Sequence, residues 1–332
     1  MGWKAVADKL DGLATVRHAV LTVNGTWGVG AIQYPSDVVN GLAQYINPDL
    51  CYEVPIRYPG SFGPIGGGAS APSYQQSVQD GYDLIVQWLE ANPVQTFALI
   101  GYSQGAEVTS RVAIDMMGGP LEKYASRWIG GITFGNPCRG YGFIAPGVAD
   151  PGGRGISSIN MTERPTIGGE IVWADYVHSP NNGDAGLDMY ASVPMGGTGT
   201  IMTDVYTTAT QLQLNNFGAF LEAMVKDLLK IVEDSGVLRG LAGGLPGLLG
   251  MGVQALIALL VGLVTGPKAN ATGISADVQA ALAGLAFLAA PGGSTAPHIS
   301  YLGEIGGYSN LVAKAVGFLA QLATLTPAQT AA

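Results

Sequence analysis

The chain has 332 residues, is 48% hydrophobic, and carries only 12% charged residues alongside 50 glycines. It can bury a large core, as one big domain or as one domain with a sizeable insertion, and its apolar content argues against general disorder. The formal net charge of −9 excludes nucleic acid as the natural partner, since that is held by Lys and Arg on phosphates, and gives no general attraction to anionic membranes.

The N-terminus, Met1 to Asp11, has early acids and no apolar stretch, so it does not read as a signal peptide. Any export is expected to use another route. Arg17 to Asn24 reads as the first strand, rich in β-branched residues and stopped at Gly25. Asn24 to Gly28 then forms a loop at its carboxyl end, the edge at which open α/β sheets bind ligands. Cys51 to Tyr58 is a second strand, with Pro55 marking it for the sheet edge. Pro59 to Pro72 is a Gly/Pro/Ser loop. Ser73 and Gln76 form a capping box that opens a helix running to about Ala91.

The stretch that organises the chain follows. An apolar run, Phe97 to Ile100, meets Gly101-Tyr102-Ser103-Gln104-Gly105, and a helix continues to about Met117. Strand, tight turn and helix with a serine at the apex form the G-x-S-x-G nucleophile elbow. Gly101 and Gly105 remove the side chains that would crowd the turn. Arg127 to Phe134 is a fourth strand and Ile171 to Val177 a fifth. Strands alternating with helices imply a parallel sheet covered on both faces. The loops after strands one, three, four and five then share one edge.

From about Gly196 the character changes. Ile201 to Asp234 reads as helical, and the 28 residues between Arg239 and Lys268 carry no charge. A helix of that length would cover about 42 Å, enough to span a bilayer. Its eight glycines and Pro246 favour instead a broken segment followed by a buried helix from about Leu248 to Val264. Ser275 caps a further helix, Ala276 to Ala290. Ile299 to Glu304 is a loop or short strand, Ser309 to Leu325 a final amphipathic helix, and Pro327 onward a fraying tail. The domain reading is therefore a core of residues 1–195 and 292–332, with 196–291 as an apolar helical insertion.

A serine hydrolase on such a sheet needs an acid and then a histidine after the elbow. There are three histidines. His18 precedes the elbow and is structural. His178 ends the fifth strand, with Asp175 three residues before it on the opposite face, and is expected to rim the pocket. His298, in the loop before the last helix, is the expected base. The acid should follow the fifth strand. Asp184 and Asp188 both qualify and position alone does not separate them. The oxyanion hole would use the amide of Gln104 and one from the first loop, at Thr26 or Trp27. Tyr102 and Tyr190 flank the expected pocket. The two cysteines, Cys51 and Cys138, fit no metal or redox motif, so no metal or cofactor is expected, and buried thiols are the default.

The elbow Gly101-Tyr-Ser-Gln-Gly-Ala106 resembles that of cutinases and mycobacterial cutinase-like esterases, and Pro297-His-Ile-Ser-Tyr301 is similar to their histidine segment. Leu187-Asp-Met-Tyr190 matches the family's acid turn, with Leu187 where the family has Gly. Tyr58 to Pro64, Ser73-Tyr74 and Asn136-Pro137 add a closer likeness to the lysin B family of mycobacteriophages, covering residues 15–195 and 294–325. The resemblance implies an α/β-hydrolase of cutinase type with a five-stranded parallel sheet and a helical insertion between Asp and His. It favours Asp188 as the acid. It implies hydrolysis of the ester joining mycolic acids to arabinogalactan, with contact to outer-membrane lipid, by a protein made in an infected cell and acting at its envelope. Two departures stand out. The family's disulfide pattern is missing, and 109 residues (189–297) lie between Asp188 and His298. Two rival readings are a cutinase-like lipase or acyltransferase for other lipid esters, and a non-enzymatic membrane or lipid-binding protein using residues 240–290.

Overall fold

The structure, a computed structural model, describes residues 16–26, 33–63, 70–211 and 295–329, together with 276, 279–280 and 283–284. Its centre is a five-stranded parallel sheet of β1 (His18–Val23), β2 (Cys51–Pro55), β3 (Phe97–Tyr102), β4 (Trp128–Phe134) and β7 (Trp173–Tyr176), in the order β2-β1-β3-β4-β7. A small antiparallel hairpin, β5 (Thr166–Ile167) with β6 (Glu170–Ile171), lies apart from it and is exposed. Ile171, expected to open the fifth strand, belongs to that hairpin. The sheet strand starts only at Trp173.

Every residue of β1, β3 and β4 is buried, the condition of a parallel strand covered on both sides. On one face lie α1 (Tyr34–Tyr45) and α5 (Leu311–Leu325), which pack against each other. On the other lie α2 (Tyr74–Ala91) and α3 (Gln104–Met116). Helix α1 was not read from the sequence. Its signals are Pro35 and Asp37 in the first turn and an apolar face of Val38, Val39 and Leu42.

β2 ends at Pro55 on the sheet edge, so the expected extension to Tyr58 does not form. Half of the Ser73 capping box is made: the Ser73 hydroxyl accepts from the Gln76 amide at 3.2 Å, but the Gln76 side chain turns to Asp80. Helix α5 starts at Leu311 rather than Ser309, capped by Asn310, whose side chain accepts from the Ala313 amide at 2.8 Å. Ile299 to Glu304 forms turns rather than a strand. The segment after α5 is pinned, not frayed, as far as Gln329. The Gln329 carbonyl accepts from the Thr96 amide, and its own amide donates to Thr96 Oγ1, both at 3.0 Å. His18 sits beneath the same corner, with Nδ1 2.9 Å from Thr96 Oγ1 and Nε2 3.2 Å from the Ala323 carbonyl, a structural role.

Of the segment expected as an insertion, α4 (Gly197–Gln211) is described. It packs on α2 and begins four residues earlier than the sequence pattern placed it. The rest of the expected helix to Asp234, the charge-free stretch and the Leu248–Val264 helix lie outside the described residues. Among those described, no helix is long and apolar enough to cross a membrane. Cys51 and Cys138 are both buried free thiols. Burial pushes Cys51 up to about 12 and Cys138 well above the ordinary thiol value, which makes them poor nucleophiles.

Candidate active site

In the order β2-β1-β3-β4-β7 the direction of winding reverses between β1 and β3, the place at the carboxyl edge where open α/β sheets take their ligands. The elbow stands there. Ser103 has φ 55° and ψ −119°, the left-handed side of the map that a side chain normally avoids. The strain is held by its surroundings: the Ser103 amide donates to the Phe134 carbonyl at 2.9 Å, and its carbonyl takes the amides of Ala106 and Glu107. At Gly105 an added Cβ would stand 2.1 Å from the Val23 carbonyl oxygen and 2.5 Å from that of Asn24. Only glycine lets α3 start this close to the end of β1.

Three side chains far apart in sequence meet at the apex. His298 Nε2 lies 2.8 Å from Ser103 Oγ, and His298 Nδ1 lies 2.8 Å from Asp188 Oδ2. With the proton on Nδ1 facing the carboxylate, Nε2 is the acceptor for the serine hydroxyl. Asp188 is wholly buried and its carboxylate is well supplied with donors. Oδ2 also accepts from the Tyr301 hydroxyl at 2.6 Å, and Oδ1 accepts from the Tyr190 amide at 3.0 Å. A buried charge is tolerable on such terms. The imidazole packs against two rings, Tyr190 with centroids 4.5 Å apart and Tyr102 at 5.3 Å. The Tyr102 hydroxyl donates to the His298 carbonyl at 2.9 Å, tying β3 to the histidine turn.

Gly135, just past β4, makes room for this group. An added Cβ there would lie 2.6 Å from His298 Cε1, 2.7 Å from Nδ1 and 2.8 Å from Asp188 Oδ2, and its φ is 57°.

Asp184 does not join the trio. Its Oδ2 accepts from the Ser179 amide at 3.0 Å, and its Oδ1 accepts from the Ser309 amide at 2.8 Å and the Ser309 hydroxyl at 2.7 Å. His178 Nδ1 stands 3.1 Å from Asp184 Oδ2, a distance that suits an ion pair at an angle poor for a hydrogen bond. Burial raises the Asp184 carboxyl, but the contacts with His178, the Ser179 amide and Ser309 outweigh it and hold it well below the usual range. His178, expected at the pocket rim, is instead fully buried: its ring stacks on Tyr301 and its Nε2 lies 3.2 Å from the Ser300 carbonyl. Its strand-end position is at the carboxyl edge, but the side chain turns inward under the histidine turn. Asp175 serves the sheet, accepting from Thr133 Oγ1 at 2.6 Å and Asn136 Nδ2 at 2.7 Å.

Gln104 is the first residue of α3. First-turn amides have no partner within a helix and carry its positive end, so this amide is available beside Ser103. The Gln104 side chain is buried, donating to the Ser61 carbonyl at 2.9 Å and accepting from Ser77 at 3.3 Å. It moors the loop after β2 against the elbow, which the sequence reading did not foresee. Thr26 is half-buried in the turn after β1, where Asn24 is anchored by the Tyr58 hydroxyl on its carbonyl at 2.6 Å. Trp27 lies outside the described residues. Among the described residues no cluster of His, Cys, Asp and Glu is arranged to hold a metal ion.

Residues 51–151 match the PE-PPE domain family. No curated protein matches the sequence. Among solved structures, lysin B from Mycobacteriophage D29 is similar at 24% identity over 86% of this chain and 99% of that one, with a TM-score of 0.44. The catalytic core of acetyl xylan esterase from Trichoderma reesei is similar at 18% identity over 59% and 96%, with a TM-score of 0.39. A cutinase-like protein from Cryptococcus sp. follows at 20% identity over 60% and 91%, with a TM-score of 0.33. The strand order, the elbow after β3 and the helical layers on both faces make this chain an α/β-hydrolase fold of cutinase type.

Proposed function

We propose that the protein is a serine esterase in which Ser103 is the nucleophile, His298 the general base and Asp188 the group that orients it. The observation that carries this is the unbroken chain of contacts from Ser103 Oγ through His298 to Asp188, at 2.8 Å each. His298 Nε2 takes the hydroxyl proton as Ser103 Oγ attacks the ester carbonyl carbon. The oxyanion is met by the Gln104 amide and by one from the loop after β1, at Thr26 or Trp27. His298 returns the proton to the departing alcohol, then activates a water that splits the acyl-enzyme and frees Ser103. The step uses no metal or cofactor.

The substrate we propose is a lipid ester, and specifically the ester between mycolic acids and arabinogalactan, cleaved at the mycobacterial envelope during phage-induced lysis. The support is apolar surface on the segments that carry acid, base and insertion: Leu187 (36% exposed), Leu302 (39%), Met195 (56%) and Val205 (54%). Covering such surface with an acyl chain gains about 0.8 kcal/mol per CH₂ buried. Residues 196–291 would then form the flank on which the chain docks.

The test has two arms. Purified protein should hydrolyse short nitrophenyl esters, and Ser103→Ala should lower kcat by about 10⁴-fold or more; activity unchanged in that variant would remove the triad. Incubation with mycobacterial cell wall should release free mycolic acids. Ester turnover without that release would move the reading to a cutinase-like lipase or acyltransferase acting on other lipids.

A further inference from the structure

We infer that Tyr301 is a positioning residue for this site: its hydroxyl, donating to Asp188 Oδ2, fixes the direction of the carboxylate and the share of its charge that reaches His298. The inference rests on the esterase reading above and adds a fourth member to its machinery.

Oδ2 is the oxygen that also faces His298 Nδ1, so both of its lone pairs are engaged, one at 2.8 Å by the ring nitrogen and one at 2.6 Å by the phenol. A hydroxyl on a carboxylate at this distance is a strong, charge-assisted bond. The phenol has little freedom to leave. Tyr301 is fully buried and its ring is held by Tyr34, Phe134 and Tyr102 and stacked on His178 at 4.6 Å. Its carbonyl accepts the amides of Leu311 and Val312, fastening it to the start of α5. The His178 carbonyl in turn accepts the Asp188 amide at 3.0 Å, so the plate under Tyr301 also holds the backbone of the acid. Burial and the adjacent Asp188 push the phenol well above its ordinary value, so it stays a donor throughout the working pH range.

The charged and titratable groups around this contact, besides His298 itself, are Tyr34 from α1, Tyr102 from β3, Arg139 from the loop after β4, His178 after β7 and Tyr190 beside Asp188. Glu304 approaches through Tyr34 and Asp184 through His178. None of these takes the place of the phenol on Oδ2.

Tyr301→Phe keeps the ring and removes the donor. On a short nitrophenyl ester, kcat should fall about tenfold with KM within twofold. The acid limb of kcat/KM against pH should move to higher pH, because a carboxylate relieved of the phenol holds the imidazolium more strongly. In an Asp188→Asn background the same substitution should add nothing further to the loss in kcat. An unchanged kcat and limb, or an equal further loss in Asp188→Asn, overturns the inference; so does a fall in Tm with no movement of the limb, which marks a packing role alone. If Tyr301→Phe does not fold, the wild-type protein still decides. Its low-field proton spectrum should contain an exchange-protected tyrosine hydroxyl beside the His298 ring proton, and the ring proton alone overturns the contact. Activity surviving in Ser103→Ala would sink the esterase reading itself, an outcome distinct from any of these.

Discussion

Tyr190 lies face-on to the catalytic imidazole we propose, its ring 4.5 Å from that of His298 and tilted by 30°, while its own amide bonds the carboxylate of Asp188. One residue thus touches both the imidazole and the carboxylate, two places after Asp188 in sequence. Tyr190→Ala keeps the amide and removes the ring. It is expected to lower kcat about tenfold through a loosened imidazole, and to cost about 2 kcal/mol of stability as a half-exposed aromatic truncation. Steady-state kinetics beside denaturant unfolding separate the two effects.

Gly135→Ala should be more damaging to turnover than to folding. The new methyl would stand 2.7 Å from His298 Nδ1 and 2.8 Å from Asp188 Oδ2 at a left-handed φ. The side chains can yield where the backbone cannot, and they yield by separating. We expect at least a hundredfold loss in kcat with an unfolding penalty of about 1–3 kcal/mol. A crystal structure of the variant should show the His298–Asp188 contact opened.

Asp184→Asn is the counterpart of Asp188→Asn. The latter should lower kcat by about 10⁴-fold, by removing the group that sets the imidazole tautomer. The former should retain turnover and change the acid stability. Asp184 is held below its unfolded value of about 3.9, so its contribution is in place at neutral pH and is lost as pH falls below about 4, through the folded value. Asp175 has the opposite sign, because burial raises it despite the hydrogen bonds from Thr133 and Asn136. Unfolding free energy followed from pH 7 to pH 2 should decline less steeply in Asp184→Asn than in the wild type. Loss of turnover in Asp184→Asn with turnover kept in Asp188→Asn would reverse the assignment.

Helix α4 reaches the core through a buried carboxylate. Glu107 is fully buried on α3, and its Oε2 accepts from the hydroxyls of Tyr74 at 3.0 Å and Tyr206 on α4 at 2.8 Å, while Oε1 faces Arg111 at 2.5 Å. Glu107→Gln removes the carboxylate that faces the half-buried guanidinium, leaving Arg111 its bond to Gln75 Oε1 at 2.6 Å, and should cost about 3 kcal/mol. Tyr206→Phe removes one of the donors and should cost about 1 kcal/mol. Chemical denaturation of the two variants and their double tests the ranking, and the double should fall short of additive.

The elbow was legible because its signal is local: two glycines and a serine between an apolar run and a helix need no tertiary information. His298 was legible because only three histidines exist and chain order removes one. The choice between Asp184 and Asp188 needed resemblance as well as position, and the reason is now plain. They stand four apart in one turn and each approaches a histidine ring nitrogen, with Tyr301 stacked on His178 and bonded to Asp188, so the two pairs differ only in tertiary contacts that a sequence does not display. His178 was misplaced for the same reason, since a strand-end position tells the edge but not the direction of the side chain. Helix α1 was overlooked because its apolar face is three residues wide and interrupted by Gly41, whose place is set by Val316 of α5, 275 positions along, with a Cβ there meeting Cγ2 at 2.6 Å.

The contact between Asp188 and His298 closes a loop of 110 residues. The entropy of ring closure grows only with the logarithm of length, so a connection about five times longer than a 20-residue one costs only about 1.5 kcal/mol more. That is about the worth of the single hydrogen bond that His298 makes to the acid. The histidine turn, moreover, does not depend on that connection for its placement: Tyr102 grips its carbonyl, α5 continues from it, and Gln329 is fastened beneath the sheet. The length of the connection between Asp188 and His298 is therefore a weak constraint on the contact, which depends instead on what holds each end: Tyr190 and the His178 carbonyl at Asp188, Tyr102 and the start of α5 at His298.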